Sequence, residues 1–536
     1  MDPADNVSLA ISLLTWLATF GAFLAIGIVV ALVAAIASNG AAGFRLVGRG
    51  IVGGIGDVFG LSLKRVWAIS QLTIREAVRH KSLMVFVVFA VLFMFAGWFL
   101  SNSNSRADLQ VQVYVSFVLT AIGWLILPVV LLISCRGLPE EIRSRSLHTV
   151  VTKPIRRSEI VVGKIVGFSV VGSVVLLLMG SIGYVWIQRQ IPAEARDKLI
   201  CRVPVYGPLQ FLDRQGKPAR QGINVGYYRD PRGYIEGATK GRAIWQFDGI
   251  RPSRTGETLL LESSFQAFRL HKGNMKRTLL GELMLVNEEK KLRVPLGAFE
   301  VNEFATNVTP VKREISFYDE AQKKQRTVDL YDDLAPDGKL RVEARCIDAG
   351  QFLGMAHKDL FIRAAVRPFF SGYAKAIVGI WLMLVLVVVF GVTASCFLKG
   401  PVATLLVLTL VVVGSGFHGF LGRLIQGDVK SGAVESMVNL ATHRGGHHHG
   451  PAEADHETTG MRIVHAVDAP LTGTLWIAYF VVPNFNVFSM SKYVANGFDV
   501  PWNTALFPSI LMVLAFLLPC LLLGYYSLKY RELESK

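Results

Sequence analysis

The chain has 536 residues, of which 52% are hydrophobic and only 18% are charged, and its mean hydropathy is +0.42. This composition argues against a soluble protein of that length and indicates a polytopic membrane protein. The formal net charge of +16 is partly topological, because the basic loops of membrane proteins stay in the cytosol.

The first apolar run, Ser8–Ala37, predicts a transmembrane helix. The residues before it lack the basic region of a signal peptide, and the run is longer than a signal sequence needs. Arg45, Arg49, Lys64 and Arg65 follow it. The charge bias therefore places the N-terminus outside and the following residues in the cytosol.

A connector and a helix separate this span from the next one. Gly40–Gly60 is rich in glycine and predicts a flexible or interfacial connector. Leu63–Lys81 has a broad apolar face opposite charged side chains, which predicts an amphipathic helix lying in the cytosolic membrane interface. A plain cytosolic extension of the next span is the alternative. The candidate interface residues are Trp67, Arg75, Glu76 and Arg79.

Six further apolar runs predict six more spans, and the basic segments between them fit a topology with the N-terminus outside and the C-terminus in the cytosol. The six runs are Leu83–Leu100, Val111–Cys135, Ile160–Trp186, Tyr373–Leu398, Val402–Phe420 and Ala505–Gly524.

The stretch from Arg136 to Gly167 lies between two of these runs and carries charged side chains throughout, so it cannot lie in hydrocarbon. Pro139 suits the first turn of a helix, and Pro154 would end that helix. Ser158–Glu159 offers a cap for the next span. We therefore predict a short cytosolic helix at about 139–151, which carries acidic residues near its positive end.

Two strings in this half of the chain resemble the permeases of ATP-binding-cassette (ABC) transporters of the type-2 exporter class. The first is Thr73-Ile74-Arg75-Glu76-Ala77 before a span. The second runs from Glu141-Ile142 through Ser146-Leu147 and Lys153-Pro154 to Gly163-Lys164, and it departs from the family at Arg145-Ser146, where Gly-Thr is common. The resemblance covers about residues 64–188 and 371–530, and it leaves out the first 60 residues and the insert.

The resemblance implies that the predicted helix at 139–151 is the coupling helix, which docks onto a separate ATPase subunit. An ordinary positive-inside loop is the alternative. The chain has no G-x-x-x-x-G-K-[ST] phosphate loop, so we expect no cofactor and no enzymatic activity here, with ATP and magnesium on the partner subunit. The candidate docking residues are Glu140, Glu141, Arg143, Arg145 and Leu147.

Residues 188–370 predict an inserted all-β domain outside the membrane. Short alternating runs such as Ala243–Phe247 and Lys339–Cys346 are separated by turn signals. About ten strands favour a β-sandwich that acts as a binding or spacing module, since no catalytic constellation is present. Its 31 Lys and Arg against 23 Asp and Glu favour anionic envelope polymers or lipid headgroups, although a mixed solvated surface explains them nearly as well.

Two sets of side chains outside the spans have ligand chemistry. Cys201 and Cys346 could pair in an oxidising compartment, or could remain two buried thiols. The loop 423–504 carries a histidine group for which a solvated loop is the favoured interpretation and weak metal binding the alternative, and its Leu471–Val482 predicts a re-entrant or interfacial segment. The candidate metal ligands are His443, His447, His448, His449 and His456.

The sequence thus predicts an α-helical polytopic membrane protein with about seven transmembrane helices and an inserted all-β sandwich-like ectodomain. Its expected function is that of the permease subunit of an ABC exporter, paired with a second permease subunit and an ATPase in a bacterial inner membrane. Membrane lipid is an expected partner and nucleic acid is not. A membrane anchor that presents the β-domain without moving a solute is the alternative. The predicted parts are 1–62, 63–187, 188–370, 371–422, 423–504 and 505–536.

Overall fold

The chain divides into two compact units. One unit includes Leu199–Ser371 and Gly497–Asp499 and is called the β unit here. The other, the helical unit, contains Trp16–Lys198, Gly372–Asn496 and Val500–Lys536. The computed structural model describes residues 9–40, 42–79, 88, 107–143, 155–219, 233–252, 258–269, 278–301, 306–319, 324–416, 418 and 482–531.

The described α-helices follow the predicted apolar runs closely. Short 3-10 or π-helical turns accompany them at Ala193–Lys198, Phe485–Phe488 and Trp502–Leu506. The α-helices are α1 Leu9–Asn39, α2 Ala42–Phe59, α3 Leu63–Arg79, α4 Ala107–Arg143, α5 Arg157–Gln190, α6 Phe369–Phe397, α7 Gly400–Gly416, α8 Ser491–Ala495 and α9 Phe507–Arg531.

Among the described residues, four helices are long and apolar enough to cross a membrane, so the protein is a helical membrane protein. They cover four of the runs predicted as spans. Two more predicted spans are helical, in α1 and in the shorter apolar α7, while Leu83–Leu100 lies almost wholly outside the described residues. The four segments are Leu109–Arg143, Arg157–Gln190, Phe369–Phe397 and Trp502–Lys529.

The glycine-rich segment after the first span is helical, as α2, so of the two predicted alternatives, a flexible or an interfacial connector, the flexible one is wrong. Apolar side chains recur with helical spacing at Phe44, Val47 and Ile51. The end of the helix is held by Asp57, whose carboxylate accepts a hydrogen bond from the Tyr525 hydroxyl at 2.7 Å. These contacts offset the low helix propensity of the glycines.

Helix α5 lies at the centre of the helical unit and packs against α3, α4 and α9. Two polar side chains of α6 also donate hydrogen bonds to α5. Tyr373 Oη donates to the Gly180 carbonyl at 2.8 Å, and Trp381 Nε1 donates to Ser173 Oγ at 2.8 Å. Such bonds join helices in lipid, where an unsatisfied donor is costly.

The β unit contains fifteen described strands rather than about ten. They are β1 Ile200–Val205, β2 Leu209–Leu212, β3 Pro218–Ala219, β4 Gly233–Glu236, β5 Arg242–Phe247, β6 Thr258–Ser263, β7 Gln266–Arg269, β8 Leu279–Asn287, β9 Leu292–Val301, β10 Asn307–Lys312, β11 Glu314–Asp319, β12 Lys324–Asp329, β13 Leu340–Cys346, β14 Gln351–Met355 and β15 Leu360–Pro368.

The strands form four antiparallel sheets around one hydrophobic core. The sheet orders are β3-β2-β5-β13-β8-β9, β1-β15-β6-β10, β4-β14-β7 and β11-β12. Strands β8 and β13 are buried along most of their length on both faces, so the six-stranded sheet is covered on both sides at these two strands. The inserted region is therefore a multi-sheet β unit. We had expected a β-sandwich, in which each of the two sheets has one exposed face.

A segment far along the chain completes the β unit. Gly497–Asp499 runs beside β1, where the Arg202 amide donates to the Gly497 carbonyl at 2.8 Å and the Asp499 amide donates to the Arg202 carbonyl at 2.9 Å. The Arg202 guanidinium lies over the Phe498 ring, 4.6 Å from its centroid. We had placed these residues in the loop 423–504. We name Gly497–Asp499 the clasp segment.

The five cysteines are all buried and free, so Cys201 and Cys346 do not pair. Cys201 lies on β1 in the four-stranded sheet, near the carbonyl of Phe369. Cys346 ends β13 in the six-stranded sheet, and burial raises the pKa of its thiol to about 11. The alternative of two separately buried thiols is the one that the structure has.

Candidate functional site

The predicted docking segment begins on the last turn of α4. This helix continues through Pro139 to Arg143, so the prediction that a separate helix starts at Pro139 is wrong. Glu140 and Arg143 are exposed on this turn, whereas Glu141 is partly buried. We name the residues from Glu140 to Arg143 the α4 end.

Packing explains why the helix continues through the proline. Leu138 is almost fully buried, and a Cβ added to Gly137 would lie 2.6 Å from the Phe168 ring on α5. A proline inside a helix costs about 3 kcal/mol, because it removes a hydrogen bond and crowds the preceding turn. Burial of Leu138 and close packing at Gly137 stabilise the helical backbone against this cost.

Helix α3 is held against the start of α5 by a pair of glycines. A Cβ on Gly163 would lie 2.7 Å from Ile69 Cβ, and a Cβ on Gly167 would lie 2.7 Å from Thr73 Cβ. Ser70 Oγ donates to the Gly163 carbonyl at 2.9 Å. The small residues let the two backbones approach closely, as in other packed membrane helices.

Three charged side chains from three helices meet where α3, the α4 end and α5 lie together. Lys164 on α5 is almost fully buried, and its ammonium donates to Glu141 at the α4 end. The same ammonium lies 3.9 Å from a carboxylate oxygen of Glu76 on α3. One cation therefore serves two carboxylates, and we name this set the acid–lysine triad.

The triad has an excess of negative charge, which changes the acidity of one member. Burial raises the pKa of Glu76 to about 7, and a hydrogen bond and repulsion from Glu141 add to the effect. Lys164 acts in the opposite direction, and the charge of Glu140 adds a smaller increase. Glu76 therefore changes charge near neutral pH.

A second buried carboxylate fixes the beginning of α5. Glu159 is fully buried and accepts hydrogen bonds from the amides of Ser62 and Arg156, each at 3.0 Å. Arg65 at the start of α3 forms an ion pair with it at 3.0 Å. Glu159, and not Ser158, is therefore the side chain that caps α5, and it also fastens α3 to that helix.

A third polar contact joins α2 to the same place. Arg156 Nη1 donates to the Gly56 carbonyl at 3.0 Å, and its Nε lies 3.8 Å from Asp57. Ser158 Oγ donates to the Asp57 carbonyl at 3.0 Å. Together with the Tyr525 bond described above, these contacts link α2, α3, α4, α5 and α9 into one packed block. This block and the α4 end lie at the same end of the helices.

The remaining predicted residues are distributed as follows. Trp67 and Arg75 are exposed on α3, and Arg79 is its last residue. Among the described residues no group of three or more potential metal ligands occurs. The residues that lie outside the described part of the chain are Arg145, Leu147, His443, His447, His448, His449 and His456.

The residues that organise this site were only partly recognised from the sequence. Lys164 stood in the predicted cytosolic stretch without a role, Glu159 was predicted only as part of a cap together with Ser158, and Asp57 was not singled out. Two signals were available: a lysine inside an apolar run, which requires a partner, and two glycines four residues apart, which permit close helix packing.

The comparison with known families agrees with this geometry. Residues 67–199 match the family described as "ABC-2 family transporter protein". The matched segment begins in α3, contains α4 and α5 with the acid–lysine triad, and ends at the first residue of the β unit. A comparison with curated proteins gives no match.

Proposed function

We propose, since the chain is an ABC-2 family transporter permease, that it is the membrane subunit of an ATP-driven exporter. ABC-2 permeases work with ABC ATPases, and in this proposal a separate subunit binds ATP with magnesium and hydrolyses it. The permease converts that step into movement of a substrate across or out of the membrane. Two permease subunits, identical or homologous, enclose the path, because one six-helix core supplies half of it.

The observation that carries the proposal is the position of the α4 end. Glu140 and Arg143 are exposed there, while Glu141 in the same turn is bound to Lys164. A force applied to the exposed side chains therefore acts on α4 directly and on α3 and α5 through the triad. This is what a docking element requires: an accessible surface on a rigid base that is continuous with the spans.

The proposed topology has seven spans in a bacterial inner membrane, with the N-terminus outside and the C-terminus in the cytosol. It places the α4 end in the cytosol and the β unit outside. The distribution of basic residues in the connecting segments supports it. The candidate spans α4, α5, α6 and α9 and the helices α1 and α7 supply six of the seven.

The test is a charge swap at the α4 end. In the variant Glu140→Lys with Arg143→Glu, the net charge is preserved and both residues are exposed, so we expect the permease to fold. We expect recovery of a stoichiometric ATPase subunit in a mild-detergent pull-down to fall on the order of tenfold, because like charges then face each other across the contact. Mass spectrometry and ATP turnover of the eluate measure the result.

Arg196→Glu is the matched control, because this exposed residue follows α5 on the side that the topology places outside. Its ATPase recovery should equal that of the wild type. Equal recovery and turnover in the charge-swap variant would remove the α4 end as the docking site. Absence of any ATPase from the wild-type eluate would instead favour an anchor that carries the β unit without transport.

A further inference from the structure

One face of helix α2 packs against the rest of the helical unit. Tyr526 Oη donates to the Gly50 carbonyl at 3.4 Å. Gly54 is buried beneath this tyrosine, since a Cβ there would lie 2.6 Å from Tyr526 Oη. With the Asp57 contacts described above, this face fixes the orientation of α2 about its axis.

The opposite side of α2 is exposed and combines basic and apolar side chains. Arg45 and Arg49 lie one turn apart and are both exposed. Phe44 and Val52 flank them and are 67% and 71% exposed. Within the described part of the chain, neither arginine has an ion-pair or hydrogen-bond partner.

This pattern is expected for a helix lying in a membrane interface. A helix with apolar residues on one sector and Lys or Arg on the next buries the first at the acyl boundary and places the second among the headgroups. Anionic lipids attract such juxtamembrane basic residues and are concentrated near them. Water alone would leave Phe44 and Val52 unfavourably exposed.

We propose that α2 is a binding site for anionic phospholipids, with Arg45 and Arg49 contacting headgroups and Phe44 and Val52 contacting acyl chains. The headgroups are those of the cytosolic leaflet, and this leaflet assignment rests on the topology in the proposed function. Helix α2 lies directly before the α3 that carries Glu76, and it shares the packed block at the α4 end. Lipid charge thus acts on the element next to the docking site.

A fluorescent reporter on α2 tests the proposal in the full chain. A cysteine introduced at Val52 can be labelled with bimane selectively, because the five native cysteines are buried. The labelled protein is placed in bilayers of phosphatidylcholine mixed with phosphatidylglycerol, with bromine on the chains of one lipid or the other. The ratio of the two quenching efficiencies gives the affinity of the site for the anionic lipid relative to the neutral one.

We expect that ratio to be about 25 in the wild type, about fivefold lower in Arg45→Gln or in Arg49→Gln, and close to one when both arginines are removed. Arg293→Gln, at an exposed position on β9, is the control and should leave the ratio unchanged. Quenching that is absent with both lipids would overturn the interfacial position. Equal quenching by both lipids would overturn the anionic selectivity.

Labelling of the same cysteine in cells separates this proposal from the topology on which it rests. A membrane-impermeant maleimide should modify the Val52→Cys variant at this position only after the cells are permeabilised. Modification in intact cells would overturn the leaflet assignment, whereas the bilayer experiment would still decide whether α2 selects anionic lipid. The ATPase pull-down is independent of both measurements.

Discussion

The β unit and the helical unit both bury charged clusters, but the proportions of charge are opposite. In the β unit, one fully buried carboxylate, Glu262 on β6, pairs with two guanidinium groups, Arg202 on β1 and Arg363 on β15. In the helical unit, the single ammonium of Lys164 serves Glu76 and Glu141. The first cluster has an excess of positive charge and the second an excess of negative charge.

This difference determines how each cluster can respond to its surroundings. An arginine stays protonated at any physiological pH, so Arg202 and Arg363 cannot relieve their excess charge by releasing a proton. A carboxyl group can take up a proton, and Glu76 has its pKa raised to about 7. The charge of the β cluster is therefore constant at physiological pH, whereas the charge of the acid–lysine triad changes with pH.

The locations of the clusters fit these two properties. Glu262 joins strands β1, β6 and β15 and indirectly holds the clasp segment, since Arg202 also contacts Gly497 and Phe498. Arg367 adds a bond to Asp499 at 2.7 Å. The triad instead joins α3 and the α4 end to α5, at the place where we propose that an ATPase docks.

The largest effect is expected from Glu262→Gln. The substitution deprives two guanidinium groups, each on a side chain that is 18% exposed, of the fully buried carboxylate that they share, and breaking a buried pair in this way costs about 3 to 5 kcal/mol. We expect amide hydrogen exchange in β1, β6, β15 and the clasp segment to accelerate accordingly in the full chain. Glu300→Gln, exposed on β9, is the control. Unchanged protection in β1 and the clasp segment would show that Glu262 does not stabilise these two segments.

A smaller effect is expected from Lys164→Met. The two carboxyl groups that remain can share a proton, so the loss of stability should be about 1 to 3 kcal/mol, comparable to an unsatisfied buried polar group. We expect faster hydrogen exchange in α3 and at the α4 end. Lys64→Met, at an exposed position on α3, should not change it. A loss as large as that of Glu262→Gln would show that the triad does not adjust by protonation.

The sequence predicted the spans well and these clusters poorly, for a physical reason. Hydropathy over about 20 residues is a local property, and it located α4, α5, α6 and α9 because burial in lipid requires that length of apolar chain. Glu262, Arg202 and Arg363 are 60 and 101 residues apart in sequence, so no local pattern relates them. Only the pairing of β6 and β1 with β15 brings them together.

Two local rules failed where tertiary contacts opposed them. Pro139 was expected to begin a helix, but packing around Gly137 and Leu138 keeps it inside α4. The glycines of α2 were expected to give a flexible or interfacial connector, and the flexible alternative fails because bonds from the tyrosines of α9 to Asp57 and Gly50 hold a helix there. In both cases weak local propensity yields to contacts that the sequence alone does not reveal.

The smallest effect is the pH dependence of the triad, and its sign follows from the raised pKa of Glu76. The proton is bound more tightly in the folded protein than in the unfolded chain, in which the ordinary value is 4.5. The contribution of Glu76 to stability is therefore fully present below about pH 4.5, and it is lost as the pH rises through about 7. Between pH 6 and pH 8 the α3 contact should weaken by about 1 kcal/mol.

Hydrogen exchange in α3, corrected for the intrinsic pH dependence of the chemistry, measures this change. Glu76→Gln keeps a neutral side chain of the same shape at every pH, so it should abolish the difference between pH 6 and pH 8 and protect α3 better than the wild type at pH 8. Asp197→Asn, exposed outside the triad, should retain the wild-type dependence. If wild-type α3 were better protected at pH 8 than at pH 6, the pH dependence would have the opposite sign. Glu76 would then not be the group through which the triad responds to pH.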